Sequence, residues 1–325
     1  MPTSLLEEHV RSAIDSRPVD TSVGQRGLLE RLNPANLRDR SLRWVLVGPA
    51  LVGIFAVSIY PLLYSLYMSF HAYNIITPPR WVGLSNYERI LTDDRFLHSV
   101  QVSFIFMITT FLIELFIGFG LALLINRDIQ GKTVIRSIIL MPLMLTPVVV
   151  GTNWRVMFNY DFGIVNYIVT QLGFAPVNWV NDATFALPAL VTLEVWRVVP
   201  FEMLVFSAGL AALPEEPFEA AEIDGASAWQ RLIYLTIPML RPLFLVVAMF
   251  RSYELLRVFD IVYTLTGGGP GRATETISFG IFNRLFEGWQ VGYASATSYV
   301  LFLISMAVVL LIVKFVGLHG FETDE

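Results

Sequence analysis

The 325-residue chain contains no cysteine. That excludes disulfides, thiolate metal sites and a thiol nucleophile. Charge is also scarce: 15% of the residues are charged, against about 25% in soluble domains. Histidine occurs four times, as His9, His71, His98 and His319, and never within an apolar run, which excludes a histidine relay inside a membrane. The net charge of −5 argues against nucleic acid as a partner. No apolar core follows the first residues, so the N-terminus does not read as a cleaved secretory signal. No zinc or hydrolase motif occurs, so no metal-binding or catalytic residue is expected.

What the chain has in abundance is apolar side chains. Hydrophobic residues make up 55% of it, and the mean hydropathy is +0.61. A soluble chain of this size needs more polar surface to cover its core. The composition therefore points to lipid as the solvent and to an all-α polytopic membrane protein.

A bilayer core takes about 20 apolar residues per helix. Six stretches approach or exceed that length: 44–70, 100–126, 137–154, 185–213, 242–265 and 291–316. The third is broken by Pro142 and Pro147, and the fifth is the least apolar. Residues 1–43 hold seven arginines and read as a polar tail with a short helical stretch near 5–14. The loop 127–136 is basic as well. The positive-inside rule places both in the cytoplasm. Alternation then puts 214–242 and a short C-terminal tail, 319–325, on the same side. No internal repeat is visible, which weighs against secondary transporters, many of which are built from repeats.

Segment 214–242 is unlike a polar linker. Pro217 suits a first helical position, and Gly225 can end a helix with positive φ. A second short helix is expected over 226–235, with Trp229, Leu232, Ile233 and Tyr234. Pro238 and Pro242 are then expected to break the chain before the next span. Geometry alone leaves two readings open, a docking element or an ordinary pair of interfacial helices.

Three of the stretches carry ionisable residues in positions that cost free energy in lipid. Glu194 and Arg197 lie roughly 14 and 18 Å from the outer end of the fourth stretch, and Arg251 and Glu254 roughly as far from the inner end of the fifth. The two sets thus overlap in depth. Arg251, Glu254, Leu255 and Val258 share one helical face. Internal salt bridges and a polar cavity are both possible; Glu194, Arg197, Arg251 and Glu254 are read here as cavity-lining. Carboxylates accept from sugar hydroxyls, and guanidinium groups donate to them in a fork. Trp196, Phe201 and Tyr253 offer apolar faces. For Arg257 and Asp260 a bracing pair and a cavity position are equally open. Glu114, alone in the second stretch, is expected to pair with another span or subunit.

Glu219-Ala220-Ala221, then Gly225 and Leu235-Thr236-Ile237-Pro238, resemble the EAA loop of ABC importer permeases. Three further segments resemble the carbohydrate branch: Trp81-Val82-Gly83-Leu84-Ser85-Asn86-Tyr87, Glu194-Val195-Trp196-Arg197 with Pro200-Phe201, and Arg257-Val258-Phe259-Asp260 followed by Gly267-Gly268-Gly269-Pro270 and Ala273-Thr274-Glu275-Thr276. The likeness spans roughly 40–318 and is to the larger permease of maltose-type importers. It implies a six-span type I permease core over 44–318 in a bacterial or archaeal cytoplasmic membrane, with both termini cytoplasmic. It implies that Glu219, Ala220, Ala221, Asp224, Gly225 and Pro238 couple to an ATPase. It also places sugar contacts among Glu194, Trp196, Arg197, Phe201, Arg251, Glu254, Leu255 and Val258. The implied partners are a second, similar permease, two ATP-binding subunits, an extracytoplasmic sugar-binding protein and lipid. ATP and Mg belong to the ATPase partners, and no cofactor is expected on this chain. Gly131-Lys132-Thr133 is no phosphate loop, because Asn126 stands where that motif needs glycine.

The remaining readings are a glycerol phosphate or polyol importer, an ion-coupled secondary transporter using the buried carboxylates, and a membrane enzyme with Glu194 or Glu254 as acid.

Overall fold

The computed structural model describes residues 39–127 and 130–314. Most of the tail expected at 1–43, its helical stretch near 5–14 and the tail at 319–325 lie outside these. The chain divides at Tyr64 and Ser65 into two compact units. The first contains α1 (Asp39–Ile54), a π turn (Phe55–Ile59) and the start of α2 (Tyr60–Ser69). Its side chains from Leu46 onward include Val52, Val57 and Leu62, all well exposed. A helix that is apolar all round suits lipid or a partner rather than water.

In the second unit, a two-stranded hairpin, β1 (His71–Ala72) and β2 (Arg80–Trp81), leads to α3 (Ser85–Thr92). Asn86 pins this turn by donating to the carbonyls of Ser69 and His71, at 2.8 and 3.0 Å. The long helix α4 (Asp94–Ile125) begins at Asp93, whose carboxylate caps the amides of Arg95 and Phe96, as a free helix N-terminus demands. The third apolar stretch forms α5 (Lys132–Leu140), a 3₁₀ turn (Met141–Met144) and α6 (Pro147–Met157), bent by 100° at the break. Pro142 and Pro147 both sit in first turns, where a missing N–H costs nothing.

A short α7 (Ile164–Gln171) precedes α8 (Ala183–Ala211), the central helix. It packs along α4 more extensively than any other described pair. Leu190, Leu193, Met203 and Phe206 of α8 are buried against Phe106 and Ala122 of α4. After α9 (Glu216–Ile223) and α10 (Ala228–Arg231) come a π turn (Leu232–Thr236), α11 (Ile237–Met239), α12 (Arg241–Leu256), a π turn (Val262–Thr266), α13 (Ile277–Phe282), a π turn (Asn283–Glu287) and α14 (Val291–Ile312).

Among the described residues three helices are long and apolar enough to cross a membrane, and two bent pairs raise the number to five. The 29-residue α8 is roughly 43 Å long by helical rise, enough for a bilayer core despite Glu194, Arg197 and Glu202.

Two expectations need correction. The fifth stretch is not one helix over 242–265. It ends at Leu256, turns at Arg257, has no regular structure at Val258 and Phe259, and restarts at Asp260. Thr276 Oγ1 donates to the carbonyl of Val258 at 3.1 Å, which satisfies a backbone group that the broken helix releases. Pro238 does not break the chain either. The helix passes through it within α11, following a π turn, and the 63° bend falls between Met239 and Arg241. Proline in a first turn fits without losing a bond.

Candidate functional site

Two sites lie at different levels of the second unit. The first is the hairpin joining α8 to α12. Helix α9 starts with Pro217 in its first turn and ends at Gly225, whose φ is +78°. The amide of Ala226 returns to the carbonyl of Ala221 at 2.9 Å, closing the helix end as a left-handed glycine permits. Ser227 then caps α10, and Gln230 reaches back to the Ser227 amide at 2.8 Å, a reciprocal pair that fixes the second helix. The second helix, expected over 226–235, starts at Ala228 and runs on through the π turn Leu232–Thr236 to Met239.

This hairpin displays Ile223, Trp229 and Tyr234, which are 87%, 68% and 73% exposed. Glu219, Ala220, Asp224, Gly225 and Pro238 are exposed as well, and Ala221 half-buried. Glu219 and Glu222 line a cavity of about 550 Å³ with Phe218, Thr236 and the α4 end at Leu123 and Asn126. The hairpin therefore sits at the C-terminal end of α4.

The second site is a cluster of charges midway along the same helices. Arg251 of α12 is 1% exposed. Its Nη2 lies 2.9 Å from Oε1 of Glu114 on α4 and 3.0 Å from Oε1 of Glu194 on α8. Its Nη1 reaches Glu254 Oε2 at 2.5 Å. Arg197 grips Glu194 through a fork, at 2.7 and 2.9 Å. One guanidinium thus joins three spans, and the fork geometry that lysine lacks makes this possible. The depth match expected from helical rise is realised in the Arg251–Glu194 contact.

The cluster differs from the expected open cavity. Glu114, Glu194 and Arg251 are buried and bonded to one another, so the bracing alternative describes them. Glu254 and Arg197 keep side chains 46% and 24% exposed. Leu255 is buried in the apolar core beside them. Val258 falls in the helix break rather than on the shared face. Trp196 points elsewhere: it lies against Trp154 at 5.5 Å and lines an apolar groove of about 770 Å³. Phe201 packs on Phe250 at 5.9 Å. Tyr253 receives a hydrogen bond from Arg257 at 2.5 Å. Asp260 forms no ion pair with Arg257, because the helix restarts between them.

The sequence leads to a partner for Glu114 on another span or subunit, not to this cluster. Counting back 11 residues from Ile125 at the end of α4 gives a depth of roughly 17 Å, close to that of Arg251, and this was the available signal.

At the opposite end of α4, Asp93 accepts from Arg284 and from the Tyr293 hydroxyl, the latter at 2.6 Å. Burial opposes its ionisation. The Tyr293 hydroxyl, the Arg284 guanidinium and two amides outweigh burial and hold the carboxyl below the usual aspartate range. Arg95 donates to buried Glu275 at 2.6 Å. These bonds join α4 to the segment after the helix break.

Residues 114–318 match the family model described as the binding-protein-dependent transport system inner membrane component. The chain is 36% identical over 278 residues to the trehalose/maltose transport system permease protein MalF of Thermococcus litoralis, covering 85% of this chain and 94% of that one. It is 31% identical to the sn-glycerol-3-phosphate transport system permease protein UgpA of Agrobacterium fabrum, covering 86% and 95%. It shares its fold with a subunit of a bacterial alginate ABC transporter solved in complex with an alginate pentasaccharide-bound periplasmic protein, with a TM-score of 0.75, 20% identity, and 87% and 97% coverage.

Proposed function

Because the chain belongs to the binding-protein-dependent transport inner membrane family, we propose that it forms half of the translocation pathway of an ATP-driven importer of di- or oligosaccharides. It is a permease subunit, not an enzyme, and ATP is hydrolysed on separate subunits. The observation that carries the reading is the hairpin at the α4 end, rigidly capped on both helices and presenting Ile223, Trp229 and Tyr234. Exposed apolar anchors on a small rigid element suit insertion into a groove of another protein.

In this reading the hairpin faces the cytoplasm and docks on one of two ATPase subunits, which hold ATP and Mg. A second, similar permease completes the pathway, and an extracytoplasmic binding protein delivers cargo at the Asp93 end. Both termini are then cytoplasmic, and the core has six spans. Closure of the ATPases pulls on the hairpin. The Arg251 cluster passes the movement to α4, α8 and α12 together, because it bonds all three. Glu254 and Arg197 are the members of that cluster free to meet hydroxyls, and they are the proposed sugar contacts among Glu194, Trp196, Arg197, Phe201, Arg251, Glu254, Leu255 and Val258.

The relative that transports glycerol phosphate makes an anionic cargo the second reading. Three carboxylates, Glu114, Glu194 and Glu254, face two guanidinium groups, Arg197 and Arg251, so the cluster has no cation to spare for a phosphate.

The test is reconstitution with the ATPase subunits and the second permease in vesicles carrying the binding protein. ATP-dependent accumulation of a neutral disaccharide is expected, insensitive to an uncoupler. Accumulation by this chain alone under a proton or sodium gradient would overturn the reading.

A further inference from the structure

Glu202 of α8 is fully buried, and neither of its carboxyl oxygens has a hydrogen-bond partner among the described residues. It is pressed against α4 where that helix has no side chain: a Cβ on Gly118 would stand 2.7 Å from the Glu202 Cβ and 3.1 Å from its Oε2. Only glycine lets the two helices approach so closely. The charged groups acting on Glu202 are Glu114, one turn from Gly118 on α4, and Arg251 on α12. Arg251 is already bonded to Glu114, Glu194 and Glu254. On its own helix, Glu194 and Arg197 are bonded to each other.

An ionised carboxylate without a partner in a membrane interior is far costlier than a neutral acid there. Here it would also add a fourth negative charge beside two guanidinium groups. We propose that Glu202 is a proton-binding site: it carries its proton while α4 and α8 are packed at Gly118, and losing that proton drives the two spans apart. The ligand is a single proton, bound as a neutral carboxylic acid. The proton is not exchanged with cargo, so the site confers a pH dependence on the packing and drives no transport. The inference rests on the packing of α4 on α8 and is independent of which cargo passes.

Infrared spectroscopy of the purified transporter tests it without cargo. The spectrum of the wild type minus that of E202Q is expected to contain the carbonyl stretch of a protonated carboxyl. A carboxylate doublet in its place would overturn the proposal. E202Q, an uncharged isostere, is expected to melt at the wild-type temperature, whereas E202K places a permanent charge at the same position and is expected to melt far lower. If E202Q melts as low as E202K, the proton is not what the packing needs. Cargo-stimulated ATPase activity of the wild type is expected to fall at alkaline pH by about tenfold per pH unit beyond the midpoint of deprotonation, with E202Q lacking that limb. Partner subunits are the same in both preparations, so superimposable profiles would overturn the switch.

Discussion

Arg251 on α12 and Glu114 on α4, 137 residues apart in sequence, form the most buried ion pair in the protein's described residues, at 1% and 0% exposure of the side chains. Neither charge would be stable in lipid alone. Each is tolerated because the other is in place, and Glu194 completes the set from α8. The pair therefore specifies how three spans meet, since any slip of one helix leaves a charge without its partner. Net stabilisation is a separate matter, because desolvation of two charges offsets most of their attraction.

Removing one partner is costly for the same reason. Arg251→Ala leaves Glu114 and Glu194 buried together and is expected to destabilise the subunit by roughly 3–5 kcal/mol. Arg251→Lys retains the charge but gathers its donors on one nitrogen, where Arg251 meets the three carboxylates from separate nitrogens. Thermal unfolding in detergent should rank wild type above R251K and R251K above R251A. Equal melting temperatures for R251A and wild type would remove the bracing role.

The hairpin is expected to respond to different changes. Gly225 has φ of +78°, so Gly225→Asp strains the turn between α9 and α10. Glu219→Lys reverses a charge on the same element. Both are expected to leave membrane insertion intact and to uncouple ATP hydrolysis from uptake. Trp229→Ala removes an exposed anchor and is expected to weaken ATPase-subunit binding by about 30-fold or more, as anchors of this kind do. Breaking the Glu222–Arg231 bridge is expected to matter little, because Glu222 is 71% exposed and the pair lies in high dielectric. Co-purification of the ATPase with each variant separates the two outcomes.

Much of this architecture is legible before any coordinates. Apolar run length locates the helices, Pro142 and Pro147 announce the break in the third apolar stretch, and Gly225 marks the hairpin turn. Rise per residue alone brings Glu194 and Arg251 to one depth. What the sequence leaves hidden is contact direction. Trp196 stands two residues from Glu194 and so faces nearly the opposite way, into the apolar groove. The break after Leu256 is hidden too, because Arg257 to Asp260 keeps a helical spacing of charges. The bond from Thr276 that stabilises the break comes from a segment 18 residues later. Long-range partners of this kind leave no local pattern.

Sugar contact should be separable from bracing within the charged cluster. Glu254 is half-exposed and bonded to Arg251 through Oε2. Glu254→Gln keeps a side chain of the same shape, and it is expected to lower cargo-stimulated ATPase activity about tenfold, the equivalent of one charge-assisted hydrogen bond, while shifting the melting temperature little. Glu194→Ala should lower both, since Glu194 is bonded to both Arg197 and Arg251. Parallel losses of activity and stability in E254Q would assign Glu254 to bracing.

The last expectation concerns acid. The pKa of Asp93 is lowered in the folded protein, from about 3.9 in an unfolded chain. Its bonds to Arg284 and Tyr293 therefore contribute fully above that unfolded value and are lost as pH falls through the folded one. Protonation removes the ion pair with Arg284 and weakens the cap on α4, which loosens residues 284–293 from the start of that helix. Wild-type stability is thus expected to decline on acidification below about pH 4, and Asp93→Asn is expected to be less stable at neutral pH with a shallower acid limb. Its stability should converge on that of the wild type in acid, where both carry a neutral group. Parallel pH profiles offset by a constant amount would mean that the Asp93 charge contributes nothing and that only its shape matters.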